Sequence, residues 1–324
     1  MTAPGWRVPE HRVESTDHIQ LQRGLEQPPP LEQWPLDEQR VRELWAEFGT
    51  RGAGARVAVI DTGVDAAHPA LPGVVEHDCT GAGPGDAGGH GTHVCGIVGG
   101  RGAGLSGVAP ECELHSFRVF AGETTDDATI IRGLREVASG RHGRFDVVNL
   151  SLGSARANDE MRALCLEMSA RGTLLVCAAG NSGDHLATEA PRFGTIGFPA
   201  EFDSSICVGA SDSAGRRSAF SSTGPELHVM APGQDVLSAW PGDRLAVLSG
   251  TSMAAPFVTG LLALMAARCR AQGWAPPNRC EALHCMAASA SDMEAAGFDA
   301  FTGYGRLFAP GAMRRLVDLK TGSP

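Results

Sequence analysis

Apolar positions along the chain alternate between two textures. Short runs rich in β-branched residues, near 56–61, 114–120, 145–151, 173–178 and 205–211, predict strands buried on both faces. Between them, near 90–100, 127–139 and 159–171, apolar residues recur at helical spacing. Strand alternating with helix predicts an α/β fold of three layers, with a central, mostly parallel sheet and helices on both faces. Further helices are expected over 251–270 and 279–289, separated by Pro276-Pro277, which cannot continue a helix. A site in such a sheet gathers at the carboxyl ends of its strands.

Composition agrees with this picture and narrows it. The chain has 324 residues, 43% of them hydrophobic and 20% charged, which is enough to bury one large α/β core. Its 42 glycines suit a fold with many tight turns. Against 37 acidic residues stand 27 basic ones, a formal charge of −10 with no basic stripe, so nucleic acid is not an expected partner. No apolar run reaches the length of about 18 residues that a membrane span needs. Residues 1–30 hold no continuous apolar segment of the signal-peptide kind, so a cytoplasmic location is expected. Nine cysteines, an odd number, fit reduced thiols better than a disulfide framework. Residues 1–36, polar and containing Pro28-Pro29-Pro30, are expected to form an extension ahead of a folded domain at 37–324.

Three segments carry chemistry. Val59-Ile60-Asp61-Thr62-Gly63 ends an apolar run in a carboxylate, His90-Gly91-Thr92-His93 opens a small-residue helical stretch, and Gly250-Thr251-Ser252-Met253-Ala254-Ala255-Pro256 places a serine where a glycine turn meets a long apolar helix. Taken singly, each suits an ordinary turn or cap. Together they supply an acid, a base and a nucleophile, because a serine hydroxyl attacks only once a neighbouring imidazole removes its proton. Their chain order, Asp, then His, then Ser, is one of the known orders of that machinery. His90 and His93 stand three apart with no Glu between them, so the zinc-peptidase pattern is absent and His93 is expected to be structural. Gly102 to Gly107 spells a dinucleotide fingerprint but follows a helix and precedes a strand, the reverse of phosphate cradling, so a loop is expected. Cys95 and Cys177 lie near these segments and are read as core packing.

The motifs resemble those of the subtilisin-like serine peptidases, the subtilases, from about Leu44 to about Ala290. Cys177-Ala178-Ala179-Gly180-Asn181, Gly107-Val108-Ala109-Pro110, Asn149-Leu150-Ser151-Leu152-Gly153 and Ser221-Ser222-Thr223-Gly224-Pro225 add to the likeness. The resemblance implies a serine endopeptidase in which Asp61 orients His90, His90 activates Ser252, and the Asn181 side chain meets the developing oxyanion. It further implies that Ser151, Leu152 and Gly153 with Ala178, Ala179 and Gly180 wall a pocket for the residue before the cut. Gly197 would lie on its floor, with Thr125 and Asp126 at a rim further upstream. Asp126 and Asp127 would either favour basic residues upstream of the cut or form a solvated acidic turn opening the next helix, and Asp184 and Glu189, in a loop longer than in secreted relatives, would add a carboxylate.

Within the family the likeness is nearest to intracellular subtilisins, which implies a peptide or protein substrate, a homodimer, and an N-terminal extension that blocks the site; residues 1–36 match no blocking motif of the family and are read either as such an extension or as a floppy tail. Calcium is a departure. The tight site of relatives uses an Asp after a His-Pro start and an Asn-bearing loop, whereas this chain reads His68-Pro69-Ala70-Leu71 and Gly99-Gly100-Arg101-Gly102. An oxygen-rich, partly anionic cage is missing, so no cofactor and no tight metal site are expected. His228 likewise stands where a weaker cation site has Asp, which leaves weak cation binding open. A peptidase dedicated to maturing one partner, or a peptide-binding pseudo-protease, are the alternative readings; the second would lack a triad member, and none is missing.

Overall fold

The structure, a computed structural model, describes the backbone of Trp6–Arg7 and residues 33–86, 88–122, 124–183 and 194–323. Seven strands form the central sheet, in the order Leu227–Pro232, Ser205–Ser211, Leu174–Ala178, Val147–Leu150, Arg56–Asp61, Glu113–Arg118 and Val75–Asp78. Every pairing among them is parallel.

Pleating divides the strand residues between two cores. Val57, Val59, Val147, Val176 and Val208 face one side, where the helices His90–Gly99 and Thr251–Ala271 cover them. Ala58, Ile60, Val148, Leu175 and Cys177 face the other, under the helices Asp127–Ala138 and Asp159–Ala170. Both of the latter begin with a side-chain cap: Asp126 accepts from Thr129 N–H, and Asn158 from Glu160 N–H and Met161 N–H. The predicted layers are therefore present, with element ends within a few residues of the predicted ones. The helix Thr251–Ala271 is long and apolar enough to span a bilayer, but 94% of its apolar window is buried inside the protein, the signature of a core helix.

The winding of the chain decides where the chemistry meets. From Val75–Asp78 the chain steps toward Leu227–Pro232 in each of three helical crossovers, yet the first carries its helix, His90–Gly99, on one face and the next two carry theirs on the other. A step in the same direction over the opposite face has the opposite hand, so the His90 crossover departs from the right-handed uniformity of such folds. Its consequence is that the helices beginning at His90 and Thr251 pack together on one face. Strand order reverses between Arg56–Asp61 and Val147–Leu150, and that switch point opens a crevice at their carboxyl ends.

Several elements escape the sequence pattern. Val75–Asp78 and Leu227–Pro232 extend the sheet at its two edges, and Val236–Trp240 pairs with Arg244–Leu248 in an antiparallel hairpin. The fingerprint-like glycine segment is a small hairpin, Arg101–Gly102 against Leu105–Ser106. The helix Trp34–Glu38 spans the position where the extension was expected to end, and it docks on the domain. Leu36 is buried, Trp34 Nε1–H donates to Gln234 O, and Gln33 exchanges two hydrogen bonds with the Ser106 backbone.

Candidate active site

Asp61 is the last residue of its strand and Ser151 follows the adjacent one, so both sit at the switch point. Asp61 Oδ1 accepts from His90 Nδ1–H at 2.7 Å and from Thr62 N–H at 2.7 Å. A carboxylate can only accept, so the shared proton rides on Nδ1 and the lone pair of a neutral imidazole lies on Nε2. The close approach depends on glycine. A Cβ at Gly91 would overlap the Gly63 carbonyl oxygen, and Gly63 itself has a φ of +111°.

Ser252 is the second residue of its helix, so its amide lies ahead of the intrahelical ladder at the positive end of the dipole. Its Oγ stands 3.4 Å from Ser151 O, and Ser151 Oγ–H returns a bond to Ser252 O at 3.0 Å. Behind this contact Thr259 Oγ1–H donates to Asn149 Oδ1, and Asn149 Nδ2–H to Ser151 Oγ, pinning the helix to the strand. Asn181 joins from the next strand end. Its Oδ1 accepts from Thr251 N–H at 3.0 Å and Thr251 Oγ1–H at 2.9 Å, while Thr251 Oγ1 accepts from Gly180 N–H at 3.0 Å. The residue preceding Ser252 thus fixes the carbonyl end of the Asn181 amide.

The segments expected to wall a pocket also meet. Ser154 and Phe198 exchange backbone bonds of 3.0 and 2.8 Å, and Gly197 N–H reaches Ala179 O at 3.4 Å. A Cβ on Gly197 would come 3.0 Å from Ser154 O, a contact that asks the neighbouring backbone to give by a few tenths of an ångström. The side chains of Leu152 and Ala179 are buried in the core, which leaves their backbones for the crevice. Thr125 donates to Val119 O, and Asp126 serves as the helix cap described above, the modest role a turn acid usually has. Thr124–Thr125 pairs antiparallel with Trp6–Arg7, in the register Trp6 with Thr125 and Arg7 with Thr124. Asp184 and Glu189 lie outside the described residues.

His93 is structural, as expected: its Nε2 lies 3.1 Å from both Val236 O and Ala246 O, and burial pushes its pKa down to about 3. Burial lifts the Cys177 thiol to about 12 and Cys95 well above its ordinary value, so neither supplies a thiolate at neutral pH. Sequence reasoning missed Asp86, a buried carboxylate four residues before His90. An acid just ahead of an expected helix start is a capping signal that could have found it.

The family model described as "Subtilase family" matches residues 52–305 of this sequence, which contain every segment of the crevice just described except the N-terminal strand. The chain belongs to the subtilase family. It is accordingly a serine endopeptidase, a hydrolase of peptide bonds. Among curated relatives, Subtilisin DY of Bacillus licheniformis is 40% identical over 224 residues, covering 67% of this chain and 78% of that protein. The major intracellular serine protease of Bacillus subtilis is 35% identical over 235 residues, or 69% and 71% of the two chains. M-protease of Shouchella clausii is 37% identical over 229 residues, or 67% and 55%.

Proposed function

We propose that this subtilase cleaves peptide bonds through Asp61, His90, Ser252 and Asn181. Ser252 Oγ adds to the scissile carbonyl as His90 Nε2 takes its proton. The oxyanion so formed meets Asn181 Nδ2–H and the Ser252 amide, and His90 then protonates the departing amine. Water repeats the sequence to release the acyl group. The observation that carries this reading is the buried 2.7 Å bond between Asp61 and His90, which fixes the tautomer the base requires. All members of the machinery are present, which favours an enzyme over a peptide-binding relic. Labelling with a fluorophosphonate should modify Ser252, and Ser252→Ala should abolish peptidase activity while circular dichroism stays native. Undiminished turnover in that variant would overturn the assignment.

Ser151 to Gly153, Ala178 to Gly180 and Gly197 are proposed to hold the substrate residue before the cut, with Thr125 and Asp126 holding the upstream chain. The pairing of Trp6–Arg7 with Thr124–Thr125 supports a role for the extension: it occupies, strand against strand, the edge where an upstream substrate segment would add. Residues 1–36 would then inhibit the enzyme until displaced or removed.

The chain is further proposed to dispense with tight calcium. Where a cage would need converging oxygens, Arg101 N–H donates to Ala70 O at 2.8 Å and the Arg101 guanidinium to Pro72 O at 3.0 Å. His68 spends its ring on Ala70 N–H and Arg244 O. At the second position, Arg279 donates twice to Ser205 O, at 3.0 and 2.9 Å, beside a His228 whose pKa burial and Arg279 lower to about 4. Among the described residues no group of three His, Cys, Asp or Glu side chains is placed to hold a metal. An intracellular setting is proposed on the nine free thiols, most of them buried, and on the likeness to a relative named as intracellular.

A further inference from the structure

We propose that Asp86 is a positioning residue for the general base, holding the helix that carries His90 in register with the turn that carries Asp61. This rests on the Asp61–His90–Ser252 reading above. Asp86 is buried and its two oxygens accept four hydrogen bonds. Oδ1 takes Thr62 Oγ1–H and Gly89 N–H, each at 2.8 Å, and Oδ2 takes Thr92 N–H at 2.8 Å and Thr92 Oγ1–H at 2.7 Å. The residue at the helix N-cap, Gly89, has no side chain, so Asp86 does the capping from three residues upstream.

The carboxylate also dictates direction. Because an ionised carboxylate only accepts, both threonine hydroxyls must donate to it, and each then has lone pairs for a backbone amide. Thr62 Oγ1 accepts from Gly91 N–H at 2.8 Å, and Thr92 Oγ1 accepts from Asp65 N–H at 2.9 Å. Thr62 follows Asp61 and Gly91 follows His90, so the relay Gly91–Thr62–Asp86 runs beside the Asp61–His90 bond at one residue's remove. The second relay, Asp65–Thr92–Asp86, crosses the other way, from the Asp61 turn to the helix. Asparagine has the same shape but would turn an NH₂ donor toward two groups that already donate, one of them an amide with no alternative role. The grip on the His90 helix would loosen although the side chain still fills its space.

A small misplacement of a base costs turnover more than binding, with about 10²-fold for roughly 1 Å as a guide. Asp86→Asn in the full chain is therefore expected to lower kcat ten- to a hundredfold per active site, counted by fluorophosphonate titration, with KM changed less than about threefold. Thr62→Val should show the same loss in smaller measure, Thr62→Ser should restore most of it, and the Asp86→Asn/Thr62→Val double variant should be no slower than Asp86→Asn alone. A wild-type kcat per titrated site would overturn the proposal, and so would losses that multiply in the double variant. Should Asp86→Asn fail to fold, the Thr62→Val and Thr62→Ser contrast decides: equal rates in the two reject the relay. Ser252→Ala, assayed alongside, separates the two levels. If it stays active the triad reading fails, whereas if it is dead and Asp86→Asn is normal, only the role of Asp86 fails.

Discussion

At the scale of single residues the crevice is a set of oriented donors. Thr251 fixes the Asn181 amide by its oxygen, so on the proposed mechanism the donor for the oxyanion would be placed before substrate arrives and would cost no reorganisation during reaction. Removing that donor by Asn181→Ala should lower kcat by about 10²–10³ with little change in KM, a magnitude known from the same substitution type in a subtilisin. Thr251→Val tests the orientation rather than the donor. It deletes one of two bonds holding Oδ1, a net contribution of about 1 kcal/mol, so a kcat loss of about fivefold is expected from steady-state kinetics. A loss in KM alone would place Asn181 in substrate binding instead. Asp61, His90, Ser252 and Asn181 were all legible because each stands in a segment whose neighbours are constrained as well: glycines where backbones touch, a strand end, a helix start. Asp86 was not legible in the same way, because its partners Thr62 and Thr92 become neighbours only when the turn and the helix fold together.

At the scale of elements, the pattern read best where both faces of a strand are buried and worst at edges. Val75-Glu76-His77-Asp78 is polar at three of four positions and has no apolar period, yet it forms an edge strand because His77 stacks on Phe117 at 4.4 Å and bonds to His115 Nδ1 at 2.9 Å. That edge holds three imidazoles. His77 and His115 stack at 5.2 Å, His142 tilts against His77 at 4.2 Å, and the charged groups facing them are Glu113 and Arg56 at His115 and Glu136 at His142. Burial, with His142 and His115 adding, lowers the His77 pKa from 6.5 to about 4, and burial lowers His115 as well. The unfolded chain therefore binds protons near pH 6.5 that the folded chain refuses until near pH 4. Stability contributed by His77 is complete above about pH 7 and is lost as pH falls through this window. The melting temperature should drop between pH 7 and pH 5, and His77→Phe, which keeps the stack on Phe117, should shrink that drop by a few degrees. An unchanged pH dependence in the variant would remove the cluster from the account.

The pairing of Trp6–Arg7 with Thr124–Thr125 is an element-scale claim too. Two residue pairs make a weak strand by themselves, so a blocking extension would need its further residues to hold it in place. A chain lacking residues 1–30 keeps the docked helix Trp34–Glu38 and should cleave a chromogenic peptide several-fold faster than the full chain. A synthetic peptide of residues 1–30 added back should slow it again. Equal rates for the two chains would leave the extension without an inhibitory role.

For the whole molecule, the proposal that tight calcium is dispensed with asks what would replace an ion in a fold whose long loops must be held to a rigid sheet. Calcium bound at a thousandfold excess over its dissociation constant adds about 4 kcal/mol to stability, which in a domain of this size amounts to roughly 6 °C in melting temperature. A guanidinium tethered to the chain supplies the same kind of contact without mass action: that of Arg101 ties its hairpin to Pro72 O, and that of Arg279 ties its helix to Ser205 O. Such contacts do not depend on the surrounding ion concentration, although each removes only one cation's worth of repulsion among the carbonyls it faces. A chelator should therefore shift the melting temperature by less than about 2 °C. Arg101→Ala should lower it by about 1–2 °C, because Pro72 O loses its donor while the backbone bond to Ala70 O stays. A fall of roughly 6 °C on adding the chelator to the unaltered chain would mean that a tight ion is bound after all, and that the arginines decorate the site instead of filling it.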